Sequence, residues 1–140
     1  MPDCVFCGIV AGELPSHTVH ETDDALAFLD THPLAAGHTL VVPRGHFERL
    51  NDLPPETAQA FYAALQDVIP AVEAATDAPA TTVAVNNGPP AGQEIDHVHA
   101  HVIPRFEDDD FGPIHALFRD RPTISEDRQE EIAAAIAEAM

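Results

Sequence analysis

The sequence predicts an α+β fold: an antiparallel sheet of about five strands, one long helix packed on it, and short flanking helices. Two observations carry this. Five short apolar or alternating segments are bounded by turn residues, and the stretch after Pro55 repeats apolar residues at helical spacing. These strands alternate too little with helices for a parallel sheet built of strand–helix–strand units, so a meander fits better. At 140 residues with no internal repeat, the chain is expected to be one domain with a single core, 1–140. Residues 106–140 form its less diagnostic C-terminal extension.

The elements follow in order. Cys4 to Gly12 reads as a short helix that stops before Leu14-Pro15. Thr18–Glu21 and Ala25–Asp30 read as paired strands around the turn Thr22-Asp23-Asp24. His38–Pro43 is an apolar strand punctuated by Gly37 and Pro43. Asn51 or Asp52 could cap a helix from about Pro55, with Ala58, Phe61, Leu65, Ile69 and Val72 on one face. Pro70 should kink or divide it, because proline has no N–H for the carbonyl one turn back. Thr81–Asn86 and His97–Ile103 supply the last two strands. In the tail, Glu107-Asp108-Asp109-Asp110 reads as a solvated loop, and Ser125 caps a closing helix rich in alanine and glutamate. Phe111, Ile114, Leu117 and Phe118 are apolar enough to pack on the body or on a partner.

The last strand carries the chemistry. In His97-Val98-His99-Ala100-His101 a histidine stands at every second position. Period-two alternation points all three imidazoles one way and Val98, Ala100 and Val102 the other. A single strand histidine is commonly a packing residue, but three on one face suit a metal or a phosphate. Crowded imidazoles lower one another's pKa, so at least one ring should stay neutral and nucleophilic near pH 7.

Upstream, the strand-like run Thr82-Val83-Ala84-Val85 leads into the loop Asn86-Asn87-Gly88-Pro89-Pro90-Ala91-Gly92-Gln93-Glu94. Gly92 lets backbone N–H groups approach an anion, and Asn86 and Gln93 offer amide donors. Alone this is a plain turn; beside the histidines it is a candidate phosphate cradle. No lysine occurs in the chain and no lysine-ended phosphate loop, so imidazoles, amides and backbone would hold the phosphate. Cys4-x-x-Cys7 has the spacing of half a zinc site. Free thiols or redox chemistry are the alternatives, although a redox pair would normally follow a strand at a helix start.

The pattern His-φ-His-φ-His-φ-φ, with φ apolar, resembles the histidine triad superfamily of nucleotide hydrolases and transferases. The likeness extends to Cys4-Val5-Phe6-Cys7 with Ile9 to Pro15, to Ala27-Phe28-Leu29-Asp30, and to Gly37-His38-Thr39-Leu40-Val41-Val42-Pro43-Arg44-Gly45-His46. It therefore covers the chain from about Cys4 to Arg105, in the prokaryotic branch that carries the cysteine pair. The resemblance implies that His99 attacks the α-phosphorus of a purine nucleotide conjugate. A nucleotidyl-histidine forms, and a nucleoside monophosphate is released. It also implies that His101 and His38 contact or polarise the phosphate, with Asn86, Gly92 and Gln93 as further phosphate contacts. Phe6, Ile9 and Phe28 would line the nucleoside pocket, and Asp30 would hold the ribose hydroxyls. Cys4, Cys7, His46 and His97 would form a closed structural zinc site; no organic cofactor is expected. The resemblance further implies a homodimer joined sheet edge to sheet edge.

Glu94 departs from the eukaryotic pattern, which has serine or threonine there. An ionised carboxylate only accepts hydrogen bonds and repels phosphate. It is turned away, protonated as an acid, or selective for a cationic leaving group. Two other functions compete with the enzyme: a nucleotide-binding regulator with negligible turnover, and a catalytic metal centre built on the three histidines. His17, His20, His32 and His115 read as surface or loop residues, with His32 nearest the proposed pocket.

Composition adds the setting. There are 24 acidic residues against six basic ones, a formal charge of −18, which repels nucleic acid polymers and anionic membranes. The balance resembles cytosolic proteins of salt-accumulating archaea, in which ionic strength screens carboxylate repulsion. No run approaches the roughly 20 apolar residues of a membrane span, and Met1-Pro2-Asp3-Cys4 does not begin a signal peptide. A cytoplasmic protein is expected.

Overall fold

The computed structural model describes residues 4–140. They fall into two compact units, one ending at Asp109 and the other running from Asp110 to Met140. The first holds α1 (Val5–Val10), β1 (Thr18–Glu21), β2 (Ala25–Leu29), β3 (Thr39–Pro43), α2 (Pro55–Thr76), β4 (Ala80–Ala84) and β5 (Ala100–Arg105). The five strands make one antiparallel sheet in the order β1-β2-β3-β5-β4. The expected fold class is the observed one.

Strand alternation divides the interior in two. Ala25 and Ala27 of β2, Val41 of β3, and Val98, Ala100 and Val102 face α2, where Phe61, Ala64, Leu65, Val68 and Val72 meet them. Leu26, Phe28, Leu40 and Val42 face the other way and pack with Phe6 of α1. Small residues on the helix side let α2 lie close to the sheet; larger ones on the α1 side wall the cleft described below.

Three expectations change. Pro70 neither ends nor divides α2, which runs unbroken to Thr76. It lies on the exposed face, where water can serve the Gln66 carbonyl that lacks its partner. Neither Asn51 nor Asp52 caps α2: Pro54 is the N-cap and Pro55 opens the helix. Leu50–Asp52 instead forms its own 3₁₀ turn, in which the Asp52 carboxylate accepts from the Arg49 N–H at 3.1 Å. The last strand begins at Ala100 rather than His97, so His97 stands in a bend and His99 in the segment that leads into the strand.

In the acidic run Glu107, Asp108 and Asp110 are exposed, as in a solvated loop, while Asp109 is half-buried. Asp109 takes two bonds from Arg105, at 2.8 and 3.1 Å, and one from the Phe106 N–H at 2.9 Å, which turns the chain at the end of β5. In the second unit a 3₁₀ turn, Ile114–Leu117, precedes α3 (Glu126–Ala139). Ser125 caps α3 by accepting from the Arg128 N–H at 3.1 Å.

Candidate functional site

The three triad histidines lie on one side of the sheet, with Phe6 against two of them: its ring centroid is 5.9 Å from His97 and 5.0 Å from His99. Their surroundings give each ring a different task. His97 is fully buried and bonded through Nε2 to the Pro43 carbonyl at 2.8 Å. A carbonyl only accepts, so the proton sits on Nε2 and the Nδ1 lone pair faces the cysteines. Nδ1 lies 3.4 Å from Cys4 Sγ and 3.5 Å from Cys7 Sγ, and His46 Nδ1 lies 3.3 Å from Cys7 Sγ.

These four residues could hold a metal ion, since their donor atoms all lie within 4.8 Å of one another. The fit can be tested on distances. Zn–S bonds of about 2.3 Å and Zn–N bonds of about 2.0 Å give tetrahedral S···N edges of about 3.5 Å. The S···N distances of 3.3 to 3.5 Å agree. The Pro43 carbonyl supplies the outer bond that orients a ligating imidazole. Burial, and then the adjacent Cys4, pushes the Cys7 thiol up, a cost that a divalent cation would reverse.

His99, also buried, donates from Nδ1 to the His97 carbonyl at 2.9 Å. In the neutral ring the lone pair is therefore on Nε2. His38 has the opposite polarity. Its Nδ1 accepts the Leu34 N–H at 3.1 Å, so Nε2 carries the proton and donates to His101 Nδ1 at 2.9 Å. His101 must then present Nε2–H. Its ring stands 5.0 Å from that of His99, and β5 holds it between Leu40 of β3 and Ala84 of β4. Burial first, then His99 and His38, lower the His101 pKa to about 4. The His38 pKa is also lowered, chiefly by burial and secondarily by His99, against the pull of Asp30. Both rings are neutral donors near pH 7.

These rings open on a cleft of about 910 Å³. Of the residues expected to touch a nucleotide, Phe6, Ile9, Phe28, Asp30, Asn86 and Gly92 line it, as do His38, His99 and His101. The Asp30 carboxylate accepts the His32 N–H at 2.9 Å and lies 3.6 Å from His38 Nε2. Gln93 does not line the cleft. It is buried, accepts the Gly88 N–H at 2.7 Å, and donates to the Glu48 and Ile95 carbonyls at 2.6 and 3.0 Å. Its amide is spent holding the loop, in which Gly88 (φ 104°) and Gly92 (φ 102°) take backbone angles that glycine favours.

Sequence reasoning could not find the backbone groups that set these tautomers, the Leu34 N–H and the carbonyls of Pro43 and His97, because any residue supplies them. It also left Asn87 without a task. That side chain accepts the Leu50 N–H at 2.8 Å and donates to Asn51 at 3.1 Å, tying the loop to the 3₁₀ turn. Of the four unassigned histidines, His32 lines the cleft. His20 is not a plain surface residue: it lies on β1 with Nε2 buried and unbonded.

Comparison with known proteins agrees with this geometry. A HIT domain family profile matches residues 11–108. The chain is similar to adenylylsulfatase HINT3 of Arabidopsis thaliana, 42% identical over 107 residues, covering 76% of this chain and 54% of that protein. The crystal structure of a HIT family member from Bacillus subtilis superposes with a TM-score of 0.88 at 31% identity, covering 99% of this chain and 98% of that one. A Zn-bound histidine triad family protein from Mycobacterium smegmatis matches with a TM-score of 0.74 at 34% identity, covering 99% and 98%. Sequence, topology and the histidine cluster agree, and the chain belongs to the HIT domain family.

Proposed function

We propose that this chain is a nucleotidyl hydrolase or transferase acting on purine nucleotide conjugates through a covalent intermediate on His99. One observation carries the reading: a single cleft receives a lone pair from His99 Nε2 and an N–H from His101 Nε2. A nucleophile and an oxyanion donor are thereby held side by side. His99 Nε2 forms a bond to the α-phosphorus as the bond to the leaving group breaks, and that electron pair departs with the leaving group. Leaving groups that need a proton take it from solvent. The His99 Nδ1–H stays bonded to the His97 carbonyl and spreads the charge that the ring acquires. Water then adds to phosphorus and gives its proton to solvent, and the lone pair returns to Nε2 as the nucleoside monophosphate leaves. His101 donates to a nonbridging oxygen, and His38 holds His101 in the donating tautomer.

Phe6, Ile9 and Phe28 would sandwich the base, Asp30 would hold the ribose, and Asn86 and Gly92 would meet the phosphate. Candidate substrates are dinucleoside polyphosphates, nucleoside phosphoramidates and other nucleotidylated adducts. The name of the Arabidopsis relative, an adenylylsulfatase, supports that class. Zinc on Cys4, Cys7, His46 and His97 would supply cross-linking, tying the amino-terminal helix to the strand that bears the triad, and would leave no position open for chemistry. The chain would work as a cytoplasmic homodimeric enzyme in high salt, one HIT-like domain with a C-terminal extension, and would bind neither nucleic acid polymers nor membranes. Among the described residues no helix is long and apolar enough to cross a membrane.

A metal centre on the triad itself fits less well. His97 is turned to the thiols, and the Leu34 N–H keeps the His38 proton on the very nitrogen that a metal shared with Asp30 and His101 would need. The test is chromatographic release of nucleoside monophosphate from diadenosine polyphosphates and adenosine phosphoramidate in molar KCl. Release by wild type and not by His99→Ala is expected. Tight monophosphate binding with no release from either would favour a regulator, and equal release would remove His99 from the chemistry.

A further inference from the structure

Glu94 follows Gln93, whose amide is pinned inward by three hydrogen bonds, and it is itself exposed on the cleft wall with His99 and His101. No hydrogen bond or ion pair engages its carboxylate among the described residues. The other titratable side chains lining the cleft are Asp30, His32, His38, His99 and His101. No arginine is among them, and the chain has no lysine. A phosphoryl group bound there meets the His101 N–H and two carboxylates, in a molecule of formal charge −18. An anionic leaving group adds repulsion, whereas a cationic one finds an unpaired carboxylate waiting for it.

We propose that Glu94 is a specificity residue that selects nucleotide conjugates whose leaving group carries a positive charge beside the scissile bond. The proposal rests on the nucleotidyl-transfer reading of the same cleft and assigns its leaving-group side. Glu94 takes no part in bond making. It reads charge, where a serine or threonine hydroxyl would offer a hydrogen bond to any leaving group.

The experiment uses three adenosine 5′-phosphoramidates that differ only in the amine: 1,2-diaminoethane (cationic), ethanolamine (neutral) and glycine (anionic). AMP release is followed for wild type, Glu94→Gln and Glu94→Ser in low salt and in molar KCl, with His99→Ala as the control. Each comparison is a ratio of kcat/KM values within one enzyme, so the intrinsic reactivity of the amines cancels between enzymes. The cationic-to-neutral ratio should fall about tenfold in both Glu94 variants, the factor expected for unit charges about 6 Å apart at an effective dielectric near 40. The anionic-to-neutral ratio should rise, and both changes should shrink in molar KCl. Ratios that do not move while wild type still releases AMP and His99→Ala does not would overturn the role of Glu94 and leave the enzyme reading intact. Release that is absent from wild type, or equal in His99→Ala, would overturn both.

Discussion

Gln93→Ala tests whether the amide beside the triad serves the loop or the phosphate. The substitution strands three partners: the N–H of Gly88 and the carbonyls of Glu48 and Ile95. Their costs differ with burial. Gly88 is buried, so its N–H loses its only side-chain acceptor with no water to replace it, about 2 kcal/mol. Glu48 is exposed and Ile95 half-buried, so their carbonyls recover hydration at about 0.5 kcal/mol each. The expected loss is about 3 kcal/mol, or roughly 10 °C in Tm for a chain of this size. Urea unfolding in molar KCl reads it as a lowered midpoint with unchanged slope. Gln93→Glu should cost more, because an acceptor would then face two carbonyls. AMP affinity per folded molecule should change less than stability does. A loss under about 1 kcal/mol together with a large loss of AMP affinity would refute the argument and return Gln93 to the phosphate.

The candidate metal site yields a cleaner variant than its position suggests, because Cys4 is also the N-cap of α1. Serine keeps a capping oxygen, so Cys4→Ser should lose zinc content and melting temperature through the thiolate alone; unchanged values of both would dispose of the structural zinc. For pH, His101 is held down to about 4 against an ordinary 6.5, so between those values the unfolded chain binds a proton that the folded one refuses. Its contribution is whole above pH 6.5 and lost as pH falls toward 4, about 2 kcal/mol after screening of a part-exposed ring. His101→Gln should flatten the loss of urea stability between pH 7 and pH 4.5, and an unaltered pH slope would reject the assignment. Gly37 has φ 96°, and a Cβ there would come within 2.5 Å of Thr76 Cγ2. Gly37→Ala should therefore cost about 2 kcal/mol in a thermal melt, and a change under about 0.5 kcal/mol would mean that α2 yields there.

The fold was legible where periodicity is strong. Strands β1, β2 and β3 stand within a residue of their expected limits because alternation and turn residues mark both ends. Misreadings came where one residue type permits two outcomes. Pro70 breaks a hydrogen bond wherever it stands in a helix, but only its exposure says that water can repair it. Asn51 and Asp52 are good caps by type, and Asp52 caps the turn before the helix instead. By type, Gln93 is an amide donor for a phosphate, while Glu94 is open to three readings: turned away, protonated, or selective for a cationic leaving group. Loop geometry then buried the first and exposed the second, and no local rule orders two adjacent polar side chains.

The triad shows why placement was readable while chemistry was only half so. Period-two spacing predicts three rings on one side, and they lie there although only His101 stands within β5 itself. Which nitrogen bears the proton depends on three backbone groups far apart in sequence: the carbonyl of Pro43 for His97, the carbonyl of His97 for His99, and the N–H of Leu34 acting through His38 for His101. Two carbonyls and one amide therefore make identical side chains present three different faces: a lone pair toward the thiols, a lone pair on Nε2 and an N–H on Nε2. Reversing the Leu34 peptide plane alone would move the His38 proton to Nδ1 and leave His101 with a lone pair toward the cleft. The Leu34 to His38 loop is thus as much a part of the site as the histidines.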